Sequence, residues 1–495
     1  MNEKKLLRIV IAGGGTAGWM TAAALTRLMG HHVHVTLVES DDIGTVGVGE
    51  ATIPTMQTFH HLLQIDEQEF IRETKGTFKL GIQFENWGGL DEKYFHSFGE
   101  TGKESWAGEF QHFWLRGKRE GETAPFGAYS PELQAALAGK FAKTKKPRLG
   151  YAYHIDATLY AKYLRRLSEA KGVNRVEGKI AQVILDESSG DITCLRLQSG
   201  ESIEGDLFID CTGFRGLLIE QALHTGYQDW GHLFLCDSAV AVQTQSVTEP
   251  LPYTRSIAHA CGWQWRIPLQ HRTGNGVVFS SKYMSDNDAI ELLLNNIEGE
   301  RINEPRVIKF KPGRRLKIWN KNCVAIGLSS GFIEPLESTS IHLISSSIVR
   351  LMKMIPLGGI NAVDVEEFNH QSIADLDNIR DFIALHYKLT NRNDSEFWRY
   401  CKNMEVPETL RRRIDMYRSS ARLYWSSDEL FTVNSWNQVM LGQGISPENY
   451  HPVADLMSSS EVKSFLYKYR ESLQMFVQSL PSHREFIDQY CSVKS

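Results

Sequence analysis

Short apolar stretches, each followed by a turn and a helical pattern, organise the first part of the chain. The β-branched stretch Leu6–Ala12 predicts a buried parallel strand. It meets the glycine-rich turn Gly13–Gly18, after which the apolar periodicity becomes helical from Trp19. A second strand is predicted at Val33–Val38, and the acidic residue Glu39 follows it directly. This order of elements predicts a parallel α/β sheet.

The glycine turn matches the pattern that binds dinucleotides between a strand and a helix. Gly13 would make the tight turn, Gly15 would let a pyrophosphate approach, and Gly18 would pack the helix on the strand. Glu39, 21 residues after Gly18, would accept hydrogen bonds from a ribose. The pattern itself does not distinguish FAD from NAD. The loop at residues 44–54 favours FAD, because it could lie against the cofactor, although a plain glycine-rich connection is the alternative.

Later in the chain, similar patterns predict more strands and an amphipathic helix with Asp156 as its N-cap. Trp263 and Trp265 would lie on one face of a strand that Pro268 ends. Residues 100–150 are polar and irregular, and beyond residue 350 the chain becomes helical and charged. The strands are predicted at Val173–Val176, Ile180–Leu185, Ile192–Leu197, Leu207–Asp210, Gly262–Pro268, Val307–Phe310 and Asn322–Ile326.

The composition excludes several classes of protein. With 54 basic and 59 acidic residues among 495, the chain lacks the basic excess of nucleic-acid-binding proteins. No apolar run reaches the ~18 residues that a membrane span needs. The seven cysteines, at positions 194, 211, 236, 261, 323, 401 and 491, are scattered and form no C-x-x-C pair. Their odd number and their spacing indicate reduced thiols in the cytoplasm, not disulfides or a metal site.

The segment at residues 331–341 combines an anion-binding pattern with two acids. Glu334 and Glu337 flank a proline, and the hydroxyl residues 338–340 precede a predicted helix. Backbone N–H groups at the start of a helix attract anions, so a carboxylate beside them indicates reactive chemistry. The alternative is a capped helix with two surface glutamates.

Lys79 is a second candidate for chemistry. It alternates with apolar residues in a predicted strand and therefore faces away from them, and such a lysine is usually solvated. The aromatic residues of the segment at 94–99 follow, among them His96 and Phe98. They could sandwich a planar ring, and core packing is the alternative.

Four motifs taken together resemble the flavin-dependent halogenases of the tryptophan halogenase family. They are the glycine turn, Lys79 in Phe-Lys-Leu-Gly-Ile, Trp263-Gln-Trp-Arg-Ile-Pro268, and Glu334-Pro-Leu-Glu-Ser-Thr-Ser-Ile341. The Trp-x-Trp-x-Ile-Pro element separates that family from the flavin hydroxylases that share its FAD fold. The resemblance covers essentially the whole chain.

The resemblance implies a reaction in two stages. A separate flavin reductase supplies FADH2, which reacts with oxygen to give a C4a-hydroperoxide, and chloride or bromide attacks it to form hypohalous acid. Lys79 then delivers this oxidant for electrophilic halogenation of an indole-like aromatic ring, either by hydrogen bonding as an ammonium or by becoming halogenated as an amine. Glu337 would polarise the oxidant and take the ring proton, and Thr339 and Ser340 would bind the halide.

The resemblance also implies the architecture and the remaining site residues. The expected fold is α/β, with a FAD-binding Rossmann-like domain of the flavin hydroxylase type at residues 1–350 and a mainly helical C-terminal substrate cap at 351–495. Substrate-site segments would be inserted at about residues 80–150 and 220–310. His96, Phe98 and Trp436 would bind substrate. The expected FAD contacts are Gly13, Gly15, Thr16, Ala17, Gly18, Glu39, Gly49, Glu50, Ala51, Ile180, Leu328 and Ile341.

Three departures from the family pattern bear on specificity. Ser340 stands where many tryptophan halogenases have glycine, which leaves bromide over chloride open. Leu328 replaces the acid that flavin hydroxylases carry after the glycine, although this halogenase family often has leucine there. The sequence Asn434-Ser-Trp436 stands where tryptophan-specific members carry a tyrosine pair, so free tryptophan is in doubt as the substrate.

Two rival functions stay open at this point. A flavin-dependent aromatic monooxygenase would hydroxylate its substrate without halide, and a flavin-binding scaffold or redox sensor would have no turnover. The expected partners are the reductase and a small aromatic molecule, without nucleic acid, membrane or metal. The sequence does not determine the oligomeric state, for which a homodimer is one option.

Overall fold

The computed structural model describes residues 6–43, 49–103 and 108–491. Residues 44–48 of the predicted cofactor loop lie outside the described residues. The helices are α1 Thr16–Leu28, α2 Thr55–Leu63, α3 Glu67–Thr74, α4 Phe110–Arg119, α5 Pro131–Leu137, α6 Ala157–Glu169, α7 Asp286–Asn295, α8 Ser340–Lys353, α9 Ala362–Lys388, α10 Glu396–Asn403, α11 Glu408–Ser420, α12 Val433–Gly442, α13 Ser459–Ser479 and α14 His483–Tyr490.

The strands, in chain order, are β1 Leu7–Ala12, β2 Val33–Glu39, β3 Gly49–Ala51, β4 Thr77–Lys79, β5 Gly81–Glu85, β6 Lys93–Ser97, β7 Ala152–Asp156, β8 Asn174–Glu177, β9 Ile180–Leu185, β10 Ile192–Leu197, β11 Ser202–Glu204, β12 Leu207–Asp210, β13 Tyr227–Asp229, β14 Ser238–Thr244, β15 Thr254–His259, β16 Gly262–Pro268, β17 Thr273–Phe279, β18 Arg306–Lys309, β19 Gly313–Arg315, β20 Trp319–Asn320, β21 Cys323–Ala325 and β22 Gly331–Phe332.

The chain divides into two compact units, each formed from three separate segments. The first unit comprises Met1–Gly76, Ile155–Gly231 and Lys309–Asp377, and the second comprises Thr77–His154, His232–Ile308 and Asn378–Ser495. The expected FAD-binding domain at residues 1–350 and substrate cap at 351–495 are defined by the molecules that they bind. That division therefore stays a prediction.

A parallel sheet forms the centre of the first unit. Its strand order is β20-β21-β12-β1-β2-β8, and only the β20–β21 pair is antiparallel. β1 is central and apolar, with Ile9 and Ile11 fully buried, as expected for a strand covered on both faces. Val10 and Ala12 face a core cluster that includes Leu195 and Phe208. The predicted parallel α/β sheet is therefore confirmed.

A larger sheet dominates the second unit, in the order β18-β14-β17-β16-β15-β5-β6. Its described pairs are antiparallel except for β15–β5, which is parallel. β16 carries Trp263 and Trp265, whose rings are both buried with centroids 6.1 Å apart, and it ends at Pro268. The predicted position of the two tryptophans on one strand face is confirmed.

The sequence prediction is wrong for residues 100–150. This segment contains α4 and α5 in addition to irregular stretches. On α4, Phe110 and Trp114 are spaced by one helical turn and pack against Val462 and Leu466 of α13. Because α13 is over 300 residues away, the sequence around residues 110–119 does not reveal the apolar partner that α4 packs against. No helix among the described residues combines the length and apolar character needed to span a membrane.

Candidate active site

The glycine turn of the first unit connects β1 to α1 through steric contacts that exclude side chains. Gly13 has a φ of +106°, and an added Cβ there would lie 2.4 Å from the carbonyl oxygen of Cys211. A Cβ on Gly18 would lie 1.9 Å from the carbonyl oxygen of Gly13. These distances confirm the tight turn and the close helix–strand packing that the glycine spacing predicts.

The same turn fits an anionic cofactor group. A Cβ added to Gly15 would meet no heavy atom within 4 Å in the described part of the chain. Gly15 is the N-cap of α1, and no side chain caps the helix. The first N–H groups of α1 therefore stay available for a pyrophosphate.

Glu39, at the end of β2, lies against this turn. An added Cβ on Gly14 would be 1.5 Å from Glu39 Oε2, so the missing side chain makes room for the carboxylate. Arg175 Nε donates to Glu39 Oε1 at 2.6 Å, and Arg165 Nη1 lies 3.5 Å from the same oxygen. The carboxylate is thereby held beside the glycine turn, where it fits the ribose-binding role.

Three other predicted FAD contacts lie on elements that touch this region of the first unit. Leu328 is in a 3₁₀ turn after Gly327, and an added Cβ on Gly327 would lie 2.9 Å from Ala17 Cβ in α1. Ile341 is buried in the first turn of α8. Ile180 begins β9 and packs against the core cluster that contains Ala12. Their binding role stays a prediction.

The remaining predicted FAD contacts, Gly49, Glu50 and Ala51, form β3 directly after the undescribed residues. Burial of the Glu50 carboxyl raises its pKa to about 7. This group therefore binds a proton more readily than an exposed glutamate does. Gly49 and Ala51 are buried on either side of it.

The predicted helix start after the hydroxyl residues is present, and its role as an anion site stays a prediction. α8 begins at Ser340 with Thr339 as its N-cap, and no side chain caps it. Thr339 is 1% exposed, and its Oγ1 has no hydrogen-bond partner among the described residues. Both Glu334 and Glu337 are fully buried, so the alternative of two surface glutamates is wrong. The start of this helix offers N–H groups and a hydroxyl to an anion.

His342, in the first turn of α8, was not found by sequence reasoning. Its Nδ1 lies 3.0 Å from Thr55 Oγ1. Burial lowers the pKa of His342 to about 4, so the ring is neutral near pH 7. His342 therefore adds no positive charge at the start of α8 near pH 7. One histidine in a helical pattern carries no sequence signal for this environment.

Lys79, in the second unit, is the last residue of β4. Its side chain is fully buried, and Nζ lies 4.9 Å from the centroid of the Phe98 ring. The alternative of a solvated surface lysine is therefore wrong. A buried ammonium near a ring face gains a cation–π contact, which compensates for part of its lost hydration.

An aromatic cluster lies beside His96. The His96 ring centroid is 5.4 Å from that of Phe382, which stacks on Phe431 at 3.8 Å. His96 and Phe98 meet edge to face, with centroids 6.5 Å apart and planes at 73°, so these two rings do not face each other in parallel. Phe382 lies in α9, and nothing in its helical pattern predicts this position.

Trp436 joins the cluster from α12. Its ring centroid is 4.9 Å from that of Phe382, and Arg413 Cζ lies 4.3 Å from the indole. Trp436 is 2% exposed, and its Nε1 has no hydrogen-bond partner in the parts of the chain that the structure describes. A buried, unused N–H group beside aromatic rings suits a polar contact with a ligand.

Asn434, two residues earlier, is already engaged by the protein. Its Nδ2 donates to the carbonyl oxygen of Gly99, and its Oδ1 accepts from the N–H group of Thr101 at 3.1 Å. The side chain therefore holds the turn after Phe98.

Comparison with known proteins identifies the family. The model of the family described as tryptophan halogenase matches residues 8–459. The chain belongs to this family. The halogenase is also 34% identical to the tryptophan 7-halogenase RebH of Lentzea aerocolonigenes, over 98% of this chain and 99% of that protein.

Two solved structures resemble this halogenase over nearly its whole length. Xcc4156, a flavin-dependent halogenase from Xanthomonas campestris, is 52% identical with a TM-score of 0.97, covering 99% of each chain. BrvH, a flavin-dependent halogenase from Brevundimonas sp. BAL3, is 41% identical with a TM-score of 0.94, covering 99% of this chain and 100% of that one.

These comparisons decide between the rival functions. This halogenase is a flavin-dependent enzyme that halogenates aromatic substrates with FADH2 and chloride or bromide, and it needs a separate flavin reductase. The predicted α/β flavoenzyme fold with a helical C-terminal region is confirmed. The monooxygenase and the flavin-binding scaffold are excluded as its primary function. The roles of individual site residues stay predictions.

Proposed function

We propose that this halogenase acts on an indole-like ring that carries no amino-acid group, and that Lys79 delivers the halogen. The observation that carries the proposal is the complete burial of Lys79 beside the Phe98 ring. A lysine without access to bulk water can hold a reactive oxidant near an aromatic substrate and keep it from hydrolysis or escape.

FAD, supplied in reduced form and held by the glycine turn, would give oxygen two of the four electrons that it can accept, which leaves two oxidising equivalents to convert halide to hypohalous acid. Lys79 would hold this acid by hydrogen bonding, or take up the halogen as an amine. If the acid is held by hydrogen bonding, the ring carbon attacks the halogen, the halogen–oxygen bond breaks, and the departing hydroxide takes a proton from the Lys79 ammonium to form water. If the amine carries the halogen, water has left when the nitrogen–halogen bond formed, and the nitrogen–halogen bond breaks on attack by the ring. The ring proton passes to Glu337, whose buried carboxylate suits a general base. The products are the halogenated ring and water.

The substrate assignment rests on Asn434 and Trp436. Tryptophan-specific relatives carry a tyrosine pair in this region, whereas Asn434 here bonds to the backbone of its own unit. The Asn434 amide is therefore not available to bind an amino-acid end.

For the halide, we assign the start of α8. Thr339 and Ser340 would present N–H groups to it, with the buried Thr339 hydroxyl as a further donor. We also propose bromide as the preferred halide, because Ser340 alters a position where many relatives have glycine.

We also propose that the enzyme is cytoplasmic, where its thiols stay reduced. A homodimer is one possible assembly, which light scattering would test. The cysteines form no disulfide among the described residues. The reductase would act by transient contact or by diffusion of FADH2.

A competition assay tests the substrate and halide assignments. Equal concentrations of indole, a phenol, a pyrrole and free tryptophan are offered with reductase-supplied FADH2 and either bromide or chloride. Excess methionine is added to consume hypohalous acid that escapes, and products are read by mass spectrometry. We expect bromoindole as the major product and no product without halide. Preferential halogenation of tryptophan would contradict the substrate assignment, and a chloride preference would contradict the assigned halide.

A further inference from the structure

The strand that carries Lys79 has one edge that is not paired with β7. In the antiparallel β4–β7 ladder, Thr77 is opposite His154, Phe78 is opposite Tyr153, and Lys79 is opposite Ala152. Alternate residues of such a strand direct their N–H groups away from the partner strand. Those N–H groups need other acceptors when they are buried.

His483, the first residue of α14, supplies one such acceptor. The Phe78 N–H group donates to His483 Nε2 at 3.1 Å, and His483 Nδ1 lies 2.8 Å from the carbonyl oxygen of Pro250. A backbone N–H only donates and a carbonyl only accepts, so the ring must carry its proton on Nδ1. Burial lowers the pKa of His483 to about 4, which agrees with a neutral ring. The N–H group of Leu80, the residue after β4, donates to the carbonyl oxygen of Pro252.

His154, in the paired strand β7, binds the residue that precedes Phe78 in β4. Thr77 Oγ1 donates to the carbonyl oxygen of Pro268 at 2.7 Å, so it must accept from His154 Nδ1, which is 3.0 Å away. His154 Nε2 then accepts from Thr254 Oγ1 at 2.9 Å. Burial, and next the charge of Lys79, hold the pKa of His154 well below its usual value. Through Pro268, this chain of bonds ties β4 to the Trp-x-Trp-x-Ile-Pro strand.

Aromatic residues, two of them in α14, also pack against Phe78. The Phe78 ring stacks on Phe141 with centroids 4.5 Å apart and planes at 14°. Phe486 and Tyr490 meet Phe78 edge to face at 5.3 and 6.2 Å. His483, Phe486 and Tyr490 are spaced by three and four residues and therefore share one face of α14.

We propose that His483 and His154 are positioning residues that fix Lys79 at the depth and angle needed to deliver the halogen, and that α14 belongs to the catalytic scaffold. This inference rests on the proposed role of Lys79. Neither histidine touches the reacting atoms. Their effect is transmitted through Thr77 and Phe78, the two residues that directly precede Lys79, where a displacement of about 1 Å can lower a reaction about 100-fold.

The test compares His483→Leu with His483→Gln, using indole and bromide with limiting FADH2 and excess methionine. The readout is bromoindole formed per FADH2 oxidised, together with the ratio of bromoindole isomers. We expect His483→Leu to lower the product yield at least ~10-fold while FADH2 oxidation stays within about 2-fold. His483→Gln should stay within ~3-fold of the wild type, because its amide oxygen can accept the Phe78 N–H. Arg484→Ala, exposed on the same helix, is the control without effect.

Thr77→Val gives a second test if His483→Leu does not fold, since it removes the hydroxyl bonds at nearly constant volume. It too should lower the yield per FADH2. An unchanged yield in either variant, or equal losses in His483→Leu and His483→Gln, would overturn the inference. If Lys79→Ala abolishes product in the same assay while these variants behave as wild type, the role of Lys79 stands. Only the positioning role of His483 and His154 is then refuted. Product from Lys79→Ala at the wild-type yield would instead refute the proposed function.

Discussion

The glycine turn and the lysine strand differ in where their geometry comes from. The turn is formed by residues 12–18, and its shape follows from the φ of +106° at Gly13 and from the packing of Gly18 on the Gly13 carbonyl oxygen, where an added Cβ would lie 1.9 Å away. Lys79 lies in a short strand whose contacts come from distant segments, including His483 more than 400 residues later. A motif formed by neighbouring residues can be predicted from the sequence. A site formed by distant segments appears in the sequence only as separate fragments.

Substitutions in the glycine turn and substitutions around Lys79 should therefore have different effects. A change within the turn acts on the backbone itself and on the cofactor that the turn accommodates. A change around Lys79 should leave the fold and flavin chemistry largely intact and alter the fate of the oxidant.

Gly13→Ala and Gly15→Ala should behave oppositely in the apoprotein. Gly13→Ala forces a Cβ into the left-handed region and against Cys211, which should cost about 3 kcal/mol of unfolding free energy or prevent folding. Gly15→Ala meets open space, so apoprotein stability should hold while FAD affinity falls at least ~10-fold. Thermal unfolding and FAD titration check both. Wild-type FAD affinity in Gly15→Ala would contradict the placement of the pyrophosphate.

Glu132→Gln should change the pH dependence of stability in the second unit. Glu132 is 1% exposed, its Oε1 accepts from the Gly150 N–H at 2.8 Å, and burial raises its pKa to about 7. The folded state thus keeps a proton that the unfolded state releases above pH 4.5, so this stabilisation is lost as pH rises through 7. The wild type should lose up to about 3 kcal/mol relative to Glu132→Gln between pH 4.5 and 8. Urea unfolding at both pH values measures this, and parallel curves would refute it.

Trp436→Phe tests whether the buried indole N–H contacts the substrate. Removal of this donor should raise KM for indole about 10-fold with kcat within about 2-fold, as expected for a lost hydrogen bond made equally in ground and transition states. The exposed Trp425→Phe is the matched control. A change confined to kcat would place Trp436 in the reaction step instead.

Asn434→Ala should have the smallest effect. The loss of the bonds to Gly99 and Thr101 loosens the turn after Phe98 and should lower the product yield per FADH2 by about 3-fold. The exposed Asn403→Ala serves as the control. A large gain of activity on tryptophan would show that Asn434 excludes the amino acid rather than holding the turn.

The sequence was informative where local sterics or periodicity decide the structure. The strands Ile180–Leu185 and Gly262–Pro268 have the predicted bounds. Gly13 is required by its positive φ, and Gly18 is required by its contact with Gly13 in the same turn. The helix start at Ser340 was also predictable from its hydroxyl residues.

Burial of the charged residues was not predictable from the local sequence. Alternation along a strand shows which face Lys79 occupies, but not which segments cover that face. The same limit applies to Glu337 in its short 3₁₀ turn. Phe382 and His342 escaped notice because a helical pattern does not distinguish an aromatic or imidazole group in a site from one in the core. The roles of Lys79 and Glu337 were predicted from the resemblance of the four motifs to the family, not from local patterns.

The central claim, delivery of the halogen by Lys79, is tested most directly by the yield of bromoindole per FADH2 oxidised in Lys79→Ala. Excess methionine intercepts hypohalous acid that leaves the protein, and Lys79→Arg, which keeps the charge without an accessible neutral amine, is run in parallel. We predict that the yield falls at least ~100-fold in Lys79→Ala while FAD binding and FADH2 oxidation stay unchanged. Bromoindole at the wild-type yield under these conditions would contradict the claim.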